Sequence, residues 1–362
     1  MKIAIVGASG FVGNRLVEKF VLGGYADVVP IVRSFSSLAV LSRFDLPWQV
    51  CNVQEPGSLA AAISGCDAVV HAALGDPVQI VKMAGAIYAA AAQAGVKRLV
   101  ALSSAAVHGL NPTPGTDEAT PISDRQTMDY NNAKVRAEKD LQKARQTGNV
   151  ELVMLRPSIV YGPRCRLIAR IAERLLDGTA FLIRDGAGIF NGIYVDNLIE
   201  AIRLALERDE ADGEAFLVGD AGTITWRDVY ARIADALDID FNTINHVEAP
   251  IFRRSFKEKV ERFVSTPFAQ SLLPAIPWHA KRISKVVLGA LKEQPRPNAW
   301  VLPSQPACIV DEEMAALQQC AWKYPNEKAA AILGYKPSVS SDEGMRRTLG
   351  WLGFAGYPLS RN

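Results

Sequence analysis

The sequence lacks the features that mark several large classes of protein. It has only five cysteines and four histidines in 362 residues, without a C-x-x-C pair or the spacing of a metal site, so we expect reduced thiols and no bound metal. No apolar run reaches the roughly 18 residues that a membrane-spanning helix requires, and the short apolar N-terminal run ends in glycines, unlike a signal peptide. A formal net charge of +2 gives no reason to expect nucleic acid as a partner. We therefore expect a cytoplasmic protein with a large buried core.

The first thirteen residues carry the clearest signal. A short β-branched run at 2–6 is followed by glycines in the spacing G-x-x-G-x-x-G, and a helical pattern then begins. A buried strand that passes through a glycine turn into a helix is typical of sites that hold a dinucleotide pyrophosphate. The alternative is an ordinary strand–helix turn that needs a positive φ. We predict that this segment binds the cofactor through Gly7, Ser9, Gly10, Phe11, Val12 and Gly13.

Short apolar strands alternate with helical patterns through the first half of the chain. The strands after the first are predicted at 28–32, 48–53, 67–73, 98–102 and 150–155. This rhythm predicts an α/β fold with a doubly wound parallel sheet of the Rossmann type, and ligands then lie at the carboxyl ends of the strands. We predict a dinucleotide-binding core over 1–165, with further sheet elements from about 190–220. A smaller C-terminal α/β region over 166–362 is expected to bind mainly the substrate.

Arg33 follows the second predicted strand, where the adenine ribose of a dinucleotide would lie. An acidic residue there would accept the 2′-hydroxyl of NAD, whereas an arginine favours the 2′-phosphate of NADP. A guanidinium pairs with phosphate strongly and with defined geometry. We predict NADP as the cofactor, with NAD as the alternative. A solvated arginine at a strand end is the competing interpretation.

Ser104, Tyr130 and Lys134 are the candidate catalytic set. Tyr130 and Lys134 are four residues apart in a helical pattern and so share one face, while Ser104 follows the fifth predicted strand. We expect Tyr130 to exchange a proton, Lys134 to lower the pKa of Tyr130, and Ser104 to stabilise the reacting oxygen as hydride moves. A Y-x-x-x-K pair also occurs by chance as an exposed tyrosine and lysine, but the glycine motif and Ser104 favour catalysis. We interpret His71 as a packing residue.

The segment 246–303 has a different composition from the rest of the chain. Basic residues alternate with apolar ones, and prolines divide it into two short amphipathic stretches. One interpretation is a solvated basic face over a substrate lid. The other is a surface that contacts an anionic membrane or receives a lipophilic substrate. We found no nucleic-acid-binding motif in it.

Several motifs together resemble the extended short-chain dehydrogenase/reductases, also called the NAD-dependent epimerase/dehydratase group. They are the glycine motif and the segments 71–73, 102–109, 130–134, 155–157, 161–163 and 194–197. The resemblance implies catalytic roles for Ser104, Tyr130 and Lys134, with Lys134 also binding the nicotinamide ribose. We expect a homodimer, and we add further residues to the cofactor site, namely Asn52, Val53, Ala72, Ala73, Pro157 and Ser158. Asn52 stands where the family usually has an aspartate, and we expect its amide to contact adenine through its N–H₂ group.

Departures from the family pattern narrow the expected chemistry. The dehydratase branch has an Asp-Glu pair where this chain has Ala105-Ala106, and nucleotide-sugar members often have an arginine where this chain has Asn191. The basic, apolar insert is similar to 3β-hydroxysteroid dehydrogenases and flavonol reductases. We predict an NAD(P)-dependent oxidoreductase or epimerase acting on a secondary alcohol or ketone, with a sugar-nucleotide-type or related small-molecule substrate. A reductase of a lipophilic ketone is the alternative, and a non-catalytic NADP sensor or scaffold is the rival from another class.

Overall fold

A seven-stranded parallel sheet organises the chain in the computed structural model, which describes residues 1–53, 55–252 and 308–360. Its strands are β1 (Lys2–Val6), β2 (Asp27–Val32), β3 (Gln49–Val50), β4 (Ala68–His71), β5 (Arg98–Leu102), β6 (Glu151–Pro157) and, later in the chain, β10 (Ala215–Val218). They lie in the order β10-β6-β5-β4-β1-β2-β3. The chain thus winds outward from β1 in one direction and then in the other, which confirms the predicted doubly wound sheet.

Both faces of the sheet are buried, and β1 shows how. Alternate side chains of a strand point to opposite faces. Ile3 and Ile5 pack in one apolar cluster and Ala4 and Val6 in the other, and all four are fully buried. A strand buried on both faces must be apolar throughout, which is why the central strands are continuous β-branched and aliphatic runs rather than alternating ones.

Nine α-helices lie in the described part of the chain. They are α1 (Phe11–Leu22), α2 (Pro56–Ala62), α3 (Pro77–Gln93), α4 (Asp129–Thr147), α5 (Arg166–Leu176), α6 (Val195–Glu207), α7 (Trp226–Ala236), α8 (Glu312–Gln318) and α9 (Ser341–Phe354). Residues of α1 and α6 pack on one face of the sheet, and residues of α2, α3 and α4 on the other. These two layers place the N-termini of α1 and α4 at the edge where the strands end.

Two elements differ most from their predicted bounds. The third strand covers only Gln49–Val50 rather than 48–53. The alanine-rich run at 83–94 predicts a helix, and the structure begins this helix, α3, six residues earlier at Pro77. Asp76 caps it by accepting a hydrogen bond from the Gln79 backbone, and the Gln79 side chain accepts one in return from the Asp76 backbone. This reciprocal cap, with proline in the first turn, fixes the earlier start.

A third apolar cluster lies beyond the main sheet. It joins α5, α7, α8 and α9 with the short strand pairs β7 (Ile159–Tyr161) with β9 (Gly192–Tyr194), and β8 (Phe181–Ile183) with β11 (Asn245–Val247). The predicted basic, apolar insert at 246–303 falls outside the described residues from 253 onward. No helix among the described residues has the length and apolar character needed to cross a bilayer. All five cysteines are described and none forms a disulfide.

Candidate active site

A cleft of about 1760 Å³ opens at the carboxyl edge of the sheet, where the strand order reverses. Ser104, Tyr130 and Lys134 all line it. The predicted cofactor residues that also line it are Gly7, Ser9, Gly10, Phe11, Val12, Arg33, Asn52, Val53, Ala72, Ala73, Lys134, Pro157 and Ser158. In doubly wound sheets a dinucleotide binds at this reversal of strand order. Only Gly13 of the predicted set does not face the cleft.

The glycine turn requires glycine at both of its ends. Gly7 has a φ of +88°, and a Cβ there would lie 2.6 Å from the Ala73 backbone nitrogen. A Cβ at Gly13 would lie 2.2 Å from the Gly7 carbonyl oxygen. Gly13 therefore lets α1 approach β1 closely, which is a packing role. Gly10 is the N-cap of α1 and has no side chain to satisfy the first N–H groups, so these groups remain available to an anion.

Three serine hydroxyl groups follow Arg33 in the chain, directly after β2. Arg33 is exposed at the wall of the cleft. The Ser34 hydroxyl lies 2.9 Å from that of Ser36 and 3.0 Å from that of Ser37, and Ser37 also lines the cleft. A guanidinium beside several hydroxyls is a suitable environment for a phosphate. Our sequence reasoning overlooked these serines, although the R-S-x-S-S pattern directly after the strand was visible.

Asn52 has a partner that the sequence did not indicate. Its side-chain amide, which we expected to contact adenine, donates a hydrogen bond of 2.9 Å to the Glu55 carboxylate. The residue still lines the cleft. The predicted adenine contact of the Asn52 amide therefore competes with a neighbouring carboxylate.

The structure brings Ser104, Tyr130 and Lys134 together. The Ser104 hydroxyl lies close enough to the Tyr130 phenol to lower its pKa, and it accepts a 3.1 Å bond from the Ala106 backbone N–H. The ammonium of Lys134 lies 5.9 Å from the centre of the Tyr130 ring and donates a 2.9 Å bond to the Leu102 carbonyl. Ser104 is placed by the end of β5, and the other two by the first turns of α4.

The electrostatics differ from our expectation for Tyr130. Burial raises the pKa of Tyr130 above its ordinary value, the charge of Glu313 raises it further, and the hydrogen bond with Ser104 opposes both. The predicted lowering of this pKa by Lys134 is wrong for this structure, because burial is the largest influence on the pKa and Lys134 is not among the groups that shift it. Burial also lowers the pKa of Lys134 itself to about 8. Tyr130 is thus protonated at neutral pH, and Lys134 loses its proton at a lower pH than a free lysine does.

A buried ion pair supports the catalytic helix. Glu138, one turn after Lys134, is 1% exposed, and its carboxylate lies 2.7 Å from the guanidinium of Arg156, which is 4% exposed. Arg156 also lies 3.2 Å from the His108 ring. The pair links α4 to β6 and to the turn that follows Ser104, so it fixes the catalytic groups relative to one another. Sequence reasoning assigned no role to Glu138.

A second pocket of about 850 Å³ adjoins the cleft at Ser104 and Tyr130. Most of its wall is aliphatic, from the side chains of Leu110, Leu167, Ile189, Met314 and Leu317. These residues come from separate segments of the chain, so sequence reasoning did not group them. The pocket and the cleft thus share Ser104 and Tyr130 in their walls.

Asn191 lies in the same wall, where nucleotide-sugar enzymes often have an arginine. It is 5% exposed, and its amide is held by the Trp322 carbonyl at 2.8 Å and by the Tyr324 backbone N–H at 3.1 Å. Both of its polar atoms are engaged with the protein. Among the described residues, no cluster of histidine, cysteine, aspartate or glutamate is suited to hold a metal ion.

Comparison with known proteins gives several full-length relatives. Sterol-4-alpha-carboxylate 3-dehydrogenase, decarboxylating, of Candida albicans is 27% identical, and the alignment covers 97% of both chains. The 2-alkyl-3-oxoalkanoate reductase of Stenotrophomonas maltophilia is 26% identical over 96% of this chain and 98% of its own. UDP-glucose 4-epimerase of Vibrio cholerae is 27% identical, but over 65% of this chain and 76% of its own.

Solved structures agree with the fold. A dTDP-glucose 4,6-dehydratase from Streptomyces venezuelae, with NAD bound, superposes with a TM-score of 0.70 at 20% identity, covering 98% of this chain and 97% of that one. A UDP-glucose 4-epimerase from Thermotoga maritima superposes with a TM-score of 0.68 at 19% identity. The superposition covers 98% of this chain and 99% of that one. The model of the NAD dependent epimerase/dehydratase family matches residues 3–219, more than half of the chain. The chain therefore belongs to this family and is an NAD(P)-dependent enzyme of the extended short-chain dehydrogenase/reductase type.

Proposed function

We propose that this protein is an NADP-dependent dehydrogenase or reductase of a lipophilic secondary alcohol or ketone. The observation that carries the proposal is the aliphatic pocket that opens onto Ser104 and Tyr130. A pocket with such a wall favours an apolar ligand with few polar groups. The engaged Asn191 offers neither charge nor free amide to the diphosphate of a nucleotide sugar.

The relatives support the same choice. The relatives that align over nearly their whole length are named for a sterol carboxylate and an alkanoate, whereas the epimerase of Vibrio cholerae aligns over about two thirds of this chain. The part of the chain that surrounds the pocket includes α8, which lies beyond the family match at 3–219. Substrate preference resides in such variable parts of a shared fold.

The proposed chemistry follows from the positions of three side chains. When bound, the reduced cofactor supplies the hydride. Tyr130, kept protonated by burial, donates its proton to the ketone oxygen, and Ser104 hydrogen-bonds that oxygen as negative charge develops on it. Lys134 orients the cofactor ribose and provides positive charge beside the phenol. In the oxidative direction the same groups act in reverse.

Tyr130→Phe tests this assignment. Turnover of NADPH with a panel of steroid and long-chain ketones should fall by about 100- to 10,000-fold, because the proton donor is removed. NADPH affinity should remain close to that of the wild type, since the phenol is not needed to hold the phosphates. Leu110→Ile is the control, because it keeps the apolar wall and the catalytic groups. Conversion of UDP-glucose without turnover of any lipophilic ketone would overturn the proposal in favour of an epimerase.

NADP preference is proposed from Arg33 and the adjoining serines. Arg33→Gln should weaken NADPH binding by about 10- to 100-fold, which is the effect expected when one hydrogen bond to a charged group is lost. NADH binding should remain unchanged, because NADH lacks the 2′-phosphate. Arg43→Gln is the matched control, since Arg43 pairs with Glu18 outside the cleft. If Arg33→Gln lost equal affinity for NADPH and NADH, the proposed preference for NADP would have no basis.

Three further expectations remain proposals. A cytoplasmic location is supported by five unpaired cysteines. A homodimer rests on the family resemblance alone, and light scattering of the purified protein tests it. Peripheral membrane contact rests on the composition of 246–303, and the absence of binding to anionic liposomes at low salt would count against it.

A further inference from the structure

One positive charge lies in the wall of the aliphatic pocket. Arg170 lines it together with Leu167, and the two are three residues apart on α5, so they share one face of the helix. The adjacent face of α5 buries Ile168, Ile171 and Leu175 in the third apolar cluster. The helix is thus fixed by its apolar side, and the exposed side chain of Arg170 lies at the wall of the pocket.

Among the residues that the structure describes, none forms a hydrogen bond or an ion pair with Arg170. Its neighbour Arg174, one turn later on the same helix, shows the contrast, because it lies 3.1 Å from the Asp311 carboxylate. Among the described residues that line the pocket, Glu313 on α8 is the other charged one, and no ion pair joins it to Arg170. The two opposite charges therefore face the same space without neutralising each other.

The two charges act on different parts of the pocket. Glu313 is among the groups that raise the pKa of Tyr130, and Arg170 is not. Glu313 therefore acts near the reacting end, where its negative charge opposes the attraction of an anion to Lys134. An anionic group of a bound molecule has its favourable position beside Arg170.

We propose that Arg170 binds a carboxylate of the substrate, so that the pocket selects lipophilic hydroxy or oxo acids over neutral lipids. The inference rests on the proposed function, because it specifies the substrate of the same pocket. A carboxylate that enters an aliphatic pocket loses water and needs a partner, and the planar guanidinium can donate two parallel hydrogen bonds to it. Arg170 then holds one end of the molecule and Glu313 keeps the anion away from Tyr130, which fixes its orientation.

Binding of simple lipids to the NADP-loaded protein tests the proposal. Dodecanoate should bind about tenfold or more tightly than dodecanol by calorimetry, as expected for one charge-assisted pair. Arg170→Gln should remove most of this difference in affinity, because it weakens the binding of dodecanoate and not that of dodecanol. Arg170→Lys should keep part of the difference. Glu313→Gln should strengthen dodecanoate binding. Arg166→Gln is the matched control, because Arg166 is exposed on the same helix and does not line the pocket.

The outcomes separate this inference from the proposed function. If dodecanol binds but dodecanoate is not preferred, or if Arg170→Gln weakens both equally, the carboxylate role of Arg170 is wrong and the lipophilic pocket stands. If dodecylamine is preferred and Glu313→Gln abolishes that preference, the pocket selects cations through Glu313. If no lipid binds while NADPH does, the lipophilic function itself fails, and the role of Arg170 fails with it.

Discussion

Replacement of Gly13 by alanine should disable the cofactor site through packing alone. Gly13 does not line the cleft, but its missing side chain leaves room for the Gly7 carbonyl. A Cβ would lie 2.2 Å from that oxygen and 2.8 Å from its carbon, whereas real Cβ atoms stay at least 3.0 Å away. The obstacle is backbone, which cannot rotate aside as a side chain does. Helix α1 must therefore move away from the glycine turn by about 1 Å.

The structure gives the size of the expected effect. Overpacking of this kind costs about 1–3 kcal/mol of unfolding free energy, and a backbone obstacle puts Gly13→Ala near the upper end. A shift of about 1 Å also stretches hydrogen bonds between the first N–H groups of α1 and a phosphate beyond their useful range. Loss of one such bond weakens NADPH binding by about tenfold or more.

Urea unfolding and NADPH fluorescence titration measure both effects, and Gly85→Ala is the control. Gly85 is exposed within α3, and a Cβ there meets nothing within 4 Å. Replacement of Gly85 by alanine should stabilise the protein by about 0.5–1 kcal/mol, because alanine lowers the conformational entropy of the unfolded chain and has a higher helix propensity than glycine. Wild-type NADPH affinity in Gly13→Ala, or equal stability changes at the two sites, would refute the packing argument.

Two other predictions concern buried charge. Because the pKa of Lys134 is lowered to about 8, the unfolded state binds more protons than the native state between pH 8 and 10. The free-energy cost of burying the charged ammonium therefore disappears as the pH rises through this range. In the cofactor-free protein Lys134→Met should therefore raise the unfolding free energy at pH 7 by about 1–3 kcal/mol. This gain should shrink by pH 10, and a gain that stays constant with pH would contradict the lowered pKa of Lys134. Glu138→Gln should cost about 3–5 kcal/mol of unfolding free energy, because it leaves Arg156 charged and buried. Glu207 is the exposed partner of Arg203, and Glu207→Gln should cost at most about 1 kcal/mol. Similar losses in urea unfolding would contradict this contrast.

The order of elements could be predicted from the sequence because each signal is local. The strand, glycine turn and helix at the N-terminus occupy adjacent residues, and the strand–helix alternation is a matter of apolar periodicity. Ser104, Tyr130 and Lys134 were identified as candidates because a strand end and a helical spacing are visible in the chain. Their catalytic roles remain predictions, as do the bounds of the two predicted regions.

Properties that depend on distant parts of the chain required the tertiary structure. The direction of the Tyr130 pKa follows from how deeply the phenol is buried, and no spacing in the sequence measures burial. Glu138 on a helix pairs with Arg156 on a strand. Arg170 and Glu313 line the same pocket although they are more than 140 residues apart in the chain. Local periodicity determined which elements form in this protein, whereas desolvation and charge, which act through space, decided what the site can bind and how its groups titrate.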